Sequence, residues 1–505
     1  MSTYLLKLST KYYKIKYIRG FTVNFYTKGI SMIDFSDLTN AEQVFKYFLE
    51  ISKIPHGSGN TSHIADYLER FATERSLEHY RDTANNVIIK KPATAGYESR
   101  PTVILQGHTD MVAEKLPSST KDMSTEGLDV YRDGDFLRAE GTTLGGDDGV
   151  AVAYCLALLD SNDIPHPAIE ALFTSDEEIG LIGAGALDTS RLEGKVMINI
   201  DSDDEGIFTV GCAGGVRNDV TLKLSTAPSH DKKYKLTVSG LLGGHSGVEI
   251  DRGRANAIKL LAATVCDMDN LRIHSIYGGN ADNAIPRECT ALFTTSDDAE
   301  KWIDFARAAC AKTYAETDPD ICFTLEEAEF DSAPLDKDST DKLISIINDT
   351  PSGVIAMSQE IKGLPESSQN IGIVKIEDGF FKMTVSVRSA KVCAKSELAQ
   401  KIQSTAEKYG AEYSSRGDYP AWEYKPDSLI RDVCCNVFRE MYKKDASVII
   451  IHAGLECGIF SDKIEGLDCI SLGPDNYDIH TTEEHLSVSS TARVWEFLKR
   501  VLKEI

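Results

Sequence analysis

Four short apolar runs along this chain each end in residues that can hold a metal ion or a proton. V-I-L-Q-G-H-T-D delivers His108 and Asp110, L-F-T-S-D-E-E-I-G delivers Asp176, Glu177 and Glu178, M-I-N-I-D delivers Asp201, and I-S-L-G-P-D-N-Y-D-I-H delivers His480. A short apolar run closed by turn-forming residues reads as a buried strand. In open α/β sheets, crevices form beyond the carboxyl ends of the strands. These side chains can therefore converge, and L-G-G-D-D-G brings Asp147 to the same place after a glycine turn.

The remaining periodicity fits that sheet. Helix-like spacing over Asn40 to Ile51 and Val150 to Leu159 alternates with strand-like runs at Pro101 to Leu105, Ala168 to Phe173 and Val196 to Ile200. Such alternation predicts an α/β domain with a mainly parallel central sheet. After the glycine-rich Gly211 to Gly215 the texture changes to two rounds of strand, helix and strand. The first round covers Tyr234 to Val238, Ala255 to Val265 and Ala291 to Thr295. The second covers Leu343 to Ile347, Asn370 to Val374, Phe380 to Val387 and Ser396 to Tyr409. This predicts an inserted α+β domain of two similar halves over 213–411, dividing an α/β domain of 34–212 and 412–505. The α/β texture returns with a helix over Asp427 to Tyr442, strands at Ser447 to Ile451 and Cys469 to Leu472, and a last helix from Ser489.

Residues 1–33 stand apart, with six basic residues, no acidic one and many aromatics. They read as an extension outside the fold, with Met32 as the start of the folded chain; a targeting peptide would favour Arg and Ser on an amphipathic helix.

Charge and cysteine usage exclude several classes. Acidic residues outnumber basic ones by 78 to 54, a net charge of −24, which repels a phosphate backbone and argues against a nucleic-acid partner. The 11 cysteines are scattered, odd in number and without a C-x-x-C pair, which suits a reducing, cytoplasmic setting. No apolar run reaches the roughly 18 residues needed to span a bilayer, so no membrane partner is expected.

Two histidines with several carboxylates form a mixed nitrogen and oxygen set that suits zinc, and also manganese or cobalt. About five candidate ligands exceed the three protein ligands of a mononuclear catalytic zinc, which points to two ions. Of two adjacent glutamates at a strand end, one can bind metal while its neighbour acts as a general base. Each acid also has a plainer reading. Asp147 and Asp148 can cap a helix, Asp201 to Glu205 can form a solvated turn, and Asp176 to Glu178 can open a helix. Their coincidence at so many strand ends favours the metal reading.

The motifs H-T-D-M-V, T-T-L-G-G-D-D-G, T-S-D-E-E-I-G, I-D-S-D-D-E-G, G-L-L-G-G-H-S-G, G-G-N-A-D-N-A-I-P-R-E and H-A-G-L-E-C-G, in this order from about residue 38 onward, resemble the aminoacyl-histidine dipeptidases of the M20 metallopeptidases. The resemblance implies a di-metal catalytic domain and an inserted lid domain. It implies that Asp147 bridges two divalent ions, with His108 and Asp201 completing one site and Glu178 and His480 the other. Asp110 would orient His108, and Glu177 would be the general base. On the lid, His245 would stabilise the oxyanion, and Asn283 and Arg388 would hold the substrate's carboxylate. His245 capping a turn and Arg388 as a solvated strand residue are the plainer alternatives. His452 or Glu456 would contact the substrate's amino end. The sequence departs from the family's pattern at Asp148, where Asn is common, at Ile179, where Ala is common, and around His480 in D-I-H-T-T-E-E.

The implied activity is metal-dependent hydrolysis of unsubstituted dipeptides, Xaa-His and β-Ala-His among them. The alternatives are an N-acyl-amino-acid deacylase or tripeptidase with the same metal core, and a non-catalytic binding protein that kept the fold. The expected assembly is a homodimer, with a monomer as the alternative.

Overall fold

The computed structural model describes residues 40–505 apart from 360 and 362, residues 33 and 35, and the backbone of 5–8 and 11–14. The expected extension over 1–33 and its boundary at Met32 lie outside the described residues, except for an antiparallel pairing of Leu5–Leu8 with Lys11–Lys14 and for Ile33, which packs against the core instead of standing outside it.

Among the described residues, one eight-stranded sheet forms the base. Its order is Ser447–Ile451, Ile207–Cys212, Asp468–Ser471, Val196–Asn199, Val103–His108, Ile169–Thr174, Val87–Lys91 and Glu78–Arg81. The four strands from Asp468–Ser471 to Ile169–Thr174 run parallel. Val87–Lys91 and Glu78–Arg81 add an antiparallel edge that the apolar pattern alone did not predict. Side chains alternate across the strands, so Val103 and Leu105 enter one core while Ile104 enters the other. Both faces are covered, which is why these strands read as unbroken apolar runs. The first core is closed by the helices Glu42–Ile51, Gly146–Asp160, Leu429–Tyr442 and Val488–Glu504, the second largely by Glu456–Lys463. From Val150 to Leu159 every residue of Gly146–Asp160 is buried. The helix is therefore wedged between sheet and outer helices, and its first turn is fixed over the strand ends.

A nine-stranded antiparallel sheet forms the second layer system. Cys322–Glu327, Lys232–Ser239, Cys289–Thr295 and Arg272–Gly278 make one half; Pro365–Glu377, Phe380–Ser389, Gly214–Lys223 and Glu412–Tyr419 make the other, with Gly353–Met357 beside Pro365–Glu377. The halves join where Tyr277 and Gly278 pair with Lys375 and Val374. They are not successive in sequence, because Gly214–Lys223 crosses over to the second half and pairs with Phe380–Ser389. The crossing out of the first domain falls at Ala213, between Ile207–Cys212 and Gly214–Lys223. The return lies later than the expected 411/412 boundary: Glu412–Tyr419 pairs with Gly214–Lys223 and belongs to the second sheet. Its sequence, E-Y-S-S-R-G-D-Y, is polar and mostly exposed, so no apolar pattern marked it as a strand.

Candidate active site

The carboxyl ends of three parallel strands and the first turn of Gly146–Asp160 meet above the base sheet. His108, the last residue of Val103–His108, is 1% exposed. Its Nδ1 lies 2.9 Å from the Asp110 carbonyl oxygen and 3.6 Å from Asp110 Oδ1. A proton on Nδ1 donates to these acceptors and leaves the Nε2 lone pair free for a cation. His108 Nε2 faces Asp147 Oδ1 at 2.9 Å and Asp201 Oδ1 at 3.8 Å.

Asp147 has non-helical torsions at the start of its helix, φ −83° and ψ 107°. Its Oδ2 faces His480 Nε2 at 3.1 Å, so its two carboxylate oxygens address two histidines from distant parts of the chain. His480 Nε2 also stands 2.9 Å from Glu178 Oε1, an atom otherwise buried without a hydrogen-bond partner. Two donor groups fall within 4.8 Å: His108, Asp147 and Glu178, and His108, Asp148 and Asp201.

Asp110 ties this cluster to the acidic turn. Its carboxylate accepts the N–H of Glu177 at 2.9 Å, the N–H of Glu178 at 3.3 Å and the Ser58 hydroxyl at 2.8 Å. Although burial favours the neutral acid, the His108 hydrogen bond and charge, with these donors, hold Asp110 below the usual carboxylate range. Glu177 stands in the opposite condition. Burial, with the charges of Glu456, Glu178 and Asp147, pushes it up to about 8 against the pull of His108.

Two acids here went unremarked as site builders in the sequence. Asp148, read as a helix cap and as a departure from the family's Asn, is 2% exposed and accepts the His108 N–H on Oδ2 at 3.1 Å. Glu484, in T-T-E-E-H, is 3% exposed and accepts backbone N–H groups from the loop that carries Asp147. The adjacent pairs D-D and E-E were the only signal, and acidic pairs are mostly solvated.

The candidate substrate residues separate into two levels. His245 lies on a short ribbon, Gly244–His245 against Ala284–Ile285. Its Nδ1 accepts the N–H groups of Gly247 and Val248, each at 3.2 Å, so a neutral ring carries its proton on Nε2. Burial, aided by the Arg388 charge, lowers its pKa and favours that neutral form. None of its hydrogen bonds reaches the carboxylate cluster. Asn283 has an exposed side chain, and its carbonyl accepts the Ser246 N–H at 2.7 Å. Arg388 is 8% exposed, with Nη1 donating to Tyr419 OH at 2.9 Å and Nε unpartnered. His452 Nε2 lies 2.7 Å from Ser368 Oγ while Nδ1 has no partner, and burial with the Arg388 charge pushes its pKa down to about 4. Glu456 lies deeper. It is 0% exposed, and its Oε2 accepts Gln106 Nε2 and Thr174 Oγ1, both at 2.6 Å, beneath the strand ends. The ribbon loop meets the base domain closely: a Cβ at Gly247 would fall 2.7 Å from the His452 carbonyl oxygen.

The donor set fits a pair of divalent cations. It combines imidazole and carboxylate donors and places both oxygens of one carboxylate toward two histidines, with Glu178 Oε1 buried beside the second.

The chain has relatives among known proteins. Residues 104–504 match the model of peptidase family M20/M25/M40. The chain is similar to the cytosol non-specific dipeptidase of Escherichia coli, 34% identical over 473 residues, 92% of this chain and 98% of that one. Among solved structures it is similar to the aminoacylhistidine dipeptidase of Vibrio alginolyticus, with a TM-score of 0.85, 33% identity and coverage of 94% and 98%. A Bacillus cereus aminopeptidase shares the fold at a TM-score of 0.54 and 17% identity, over 92% and 98% of the two chains.

Proposed function

Because the chain belongs to peptidase family M20/M25/M40, we propose that it is a metal-dependent dipeptidase that hydrolyses unsubstituted dipeptides, Xaa-His and β-Ala-His among them, in the cytoplasm. The observation that carries the reading is the placement of Asp147, whose two oxygens face His108 and His480. His108, Asp147 and Asp201 would hold one ion; Glu178, Asp147 and His480 the other. Zinc suits the set best, with manganese and cobalt as alternatives.

Bound there, the ions would lower the pKa of a water between them and polarise the scissile carbonyl. The chain's own groups do the rest. Glu177, beside Glu178 on the turn held by Asp110, takes the proton of the attacking water and passes it to the leaving amine. His245, with Nε2–H as its free donor, stabilises the developing oxyanion. Arg388, with an unpartnered Nε, receives the substrate carboxylate together with the exposed Asn283 amide. His452, with Nδ1 unpartnered, would contact the substrate's amino end. Glu456 is buried and hydrogen-bonded under the strands, which favours a supporting place over contact with substrate.

The packing of Gly247 on His452 favours a chain that supplies its own His245, so a homodimer is compatible with the site without being required by it. Metal content by mass spectrometry, paired with release of His from β-Ala-His and Gly-His with and without chelator, tests the reading. Two ions per chain and chelator-sensitive release are expected. Two ions without release would favour a deacylase or tripeptidase, and no metal after reconstitution would overturn the catalytic reading.

A further inference from the structure

Four successive N–H groups, from Leu144 to Asp147 at the entry to Gly146–Asp160, take an acceptor from outside their own segment. Glu484 supplies both oxygens from the far end of the chain. Oε2 accepts Leu144 N at 2.7 Å and Gly145 N at 3.0 Å; Oε1 accepts Gly146 N at 2.8 Å and Asp147 N at 3.3 Å. The loop is shaped to permit this. Gly145 has φ +67°, and a Cβ at Gly146 would lie 2.9 Å from Asn476 Oδ1. A buried carboxylate on several N–H donors at the positive end of a helix is strongly held.

We propose that Glu484 is a positioning residue for the metal pair, fixing the backbone of Asp147 so that its two oxygens stay between His108 and His480. The inference rests on the metal assignment made above. Its last N–H contact belongs to Asp147 itself, whose N–H also reaches the Asn476 amide oxygen at 3.1 Å, so losing the carboxylate loosens the loop that carries the residue between the two histidines. Glu484 also follows His480 by four residues, so one short segment carries a candidate ligand and the clasp on the opposing loop. A plain helix cap would affect stability and leave the cation geometry untouched.

The test uses the full chain and its Glu484→Gln variant, which keeps the shape but turns an amide N–H₂ toward backbone donors. Zinc affinity is measured by competition with a chromophoric chelator, and the melting temperature of each metal-free protein is measured in parallel. Affinity is expected to fall by about 10- to 100-fold, the range typical of groups that orient metal ligands, alongside a lower metal-free melting temperature from the lost N–H contacts. Affinity within about two-fold of the wild type would overturn the proposal, whatever the melting temperature does. If Glu484→Gln does not fold, Glu484→Asp, which shortens the clasp but keeps its charge, is judged by the same comparison. A wild-type chain that takes up no zinc would overturn the metal reading itself, and this inference with it.

Discussion

Asp110 accepts the backbone N–H of Glu177 at 2.9 Å while its own carbonyl lies 2.9 Å from His108 Nδ1. One residue thus sets both the tautomer of a candidate ligand and the direction of the acidic turn. Asp110→Asn replaces an acceptor oxygen with a donor facing N–H groups. It is expected to lower kcat/KM by about 10- to 100-fold and to weaken metal retention. Wild-type kinetics on a dipeptide would remove Asp110 from this role.

Glu177→Ala separates proton transfer from metal binding. The chain should keep two ions, as measured by mass spectrometry, and lose about 10²- to 10⁴-fold in kcat. Loss of metal in this variant would contradict the division of labour between Glu177 and Glu178.

For His480, whose Nε2 faces both Asp147 and Glu178, the alanine variant should hold about one ion per chain. Unchanged stoichiometry would strike His480 from the ligand set.

Arg388→Ala should chiefly raise KM, or lower kcat/KM at nearly constant metal content, because its guanidinium donates to Tyr419 and to none of the candidate metal ligands. A normal kinetic profile would place the carboxylate clamp elsewhere.

The pH dependence of the metal-free chain follows from its buried acids. Burial pushes Glu177 up to about 8, and Glu456 and Asp203 to about 7. Each binds its proton more tightly when folded than when unfolded, where Asp and Glu titrate near 4. Their stabilising contribution is complete below about pH 4 and is lost as pH rises through about 7 to 8. His480, pulled up to about 10 by Asp147 and Glu178, adds a loss between its unfolded value and that pH. Asp147 acts oppositely: although burial opposes it, His108 and His480 hold its pKa low, so its contribution is lost on the acid side. The melting temperature of the chelated protein should therefore fall from about pH 5.5 to about pH 8.5, and zinc should remove most of that fall. A flat profile without metal would contradict this balance.

The parallel strands were legible because both faces are buried, which leaves unbroken apolar runs such as Val103 to Leu105 and Ile169 to Phe173. The convergence of His108, Asp147, Glu178, Asp201 and His480 was legible for the same reason: each follows or abuts such a run. Glu412–Tyr419 was not, because an exposed edge strand needs no apolar residues. Nor was the crossing of Gly214–Lys223 into the second half, since the choice of neighbour depends on contacts far along the chain. Glu484 escaped notice because its meaning lies in four N–H groups more than three hundred residues away in sequence.

The loop that carries His245 meets the base domain at Gly247, where a Cβ would fall 2.7 Å from the His452 carbonyl oxygen. At that point main-chain atoms, which have no rotamer to change, stop the two domains from approaching further. Any side chain at 247 would have to push the loop off the base domain, so the glycine there lets the segment carrying His245 sit as close as it does.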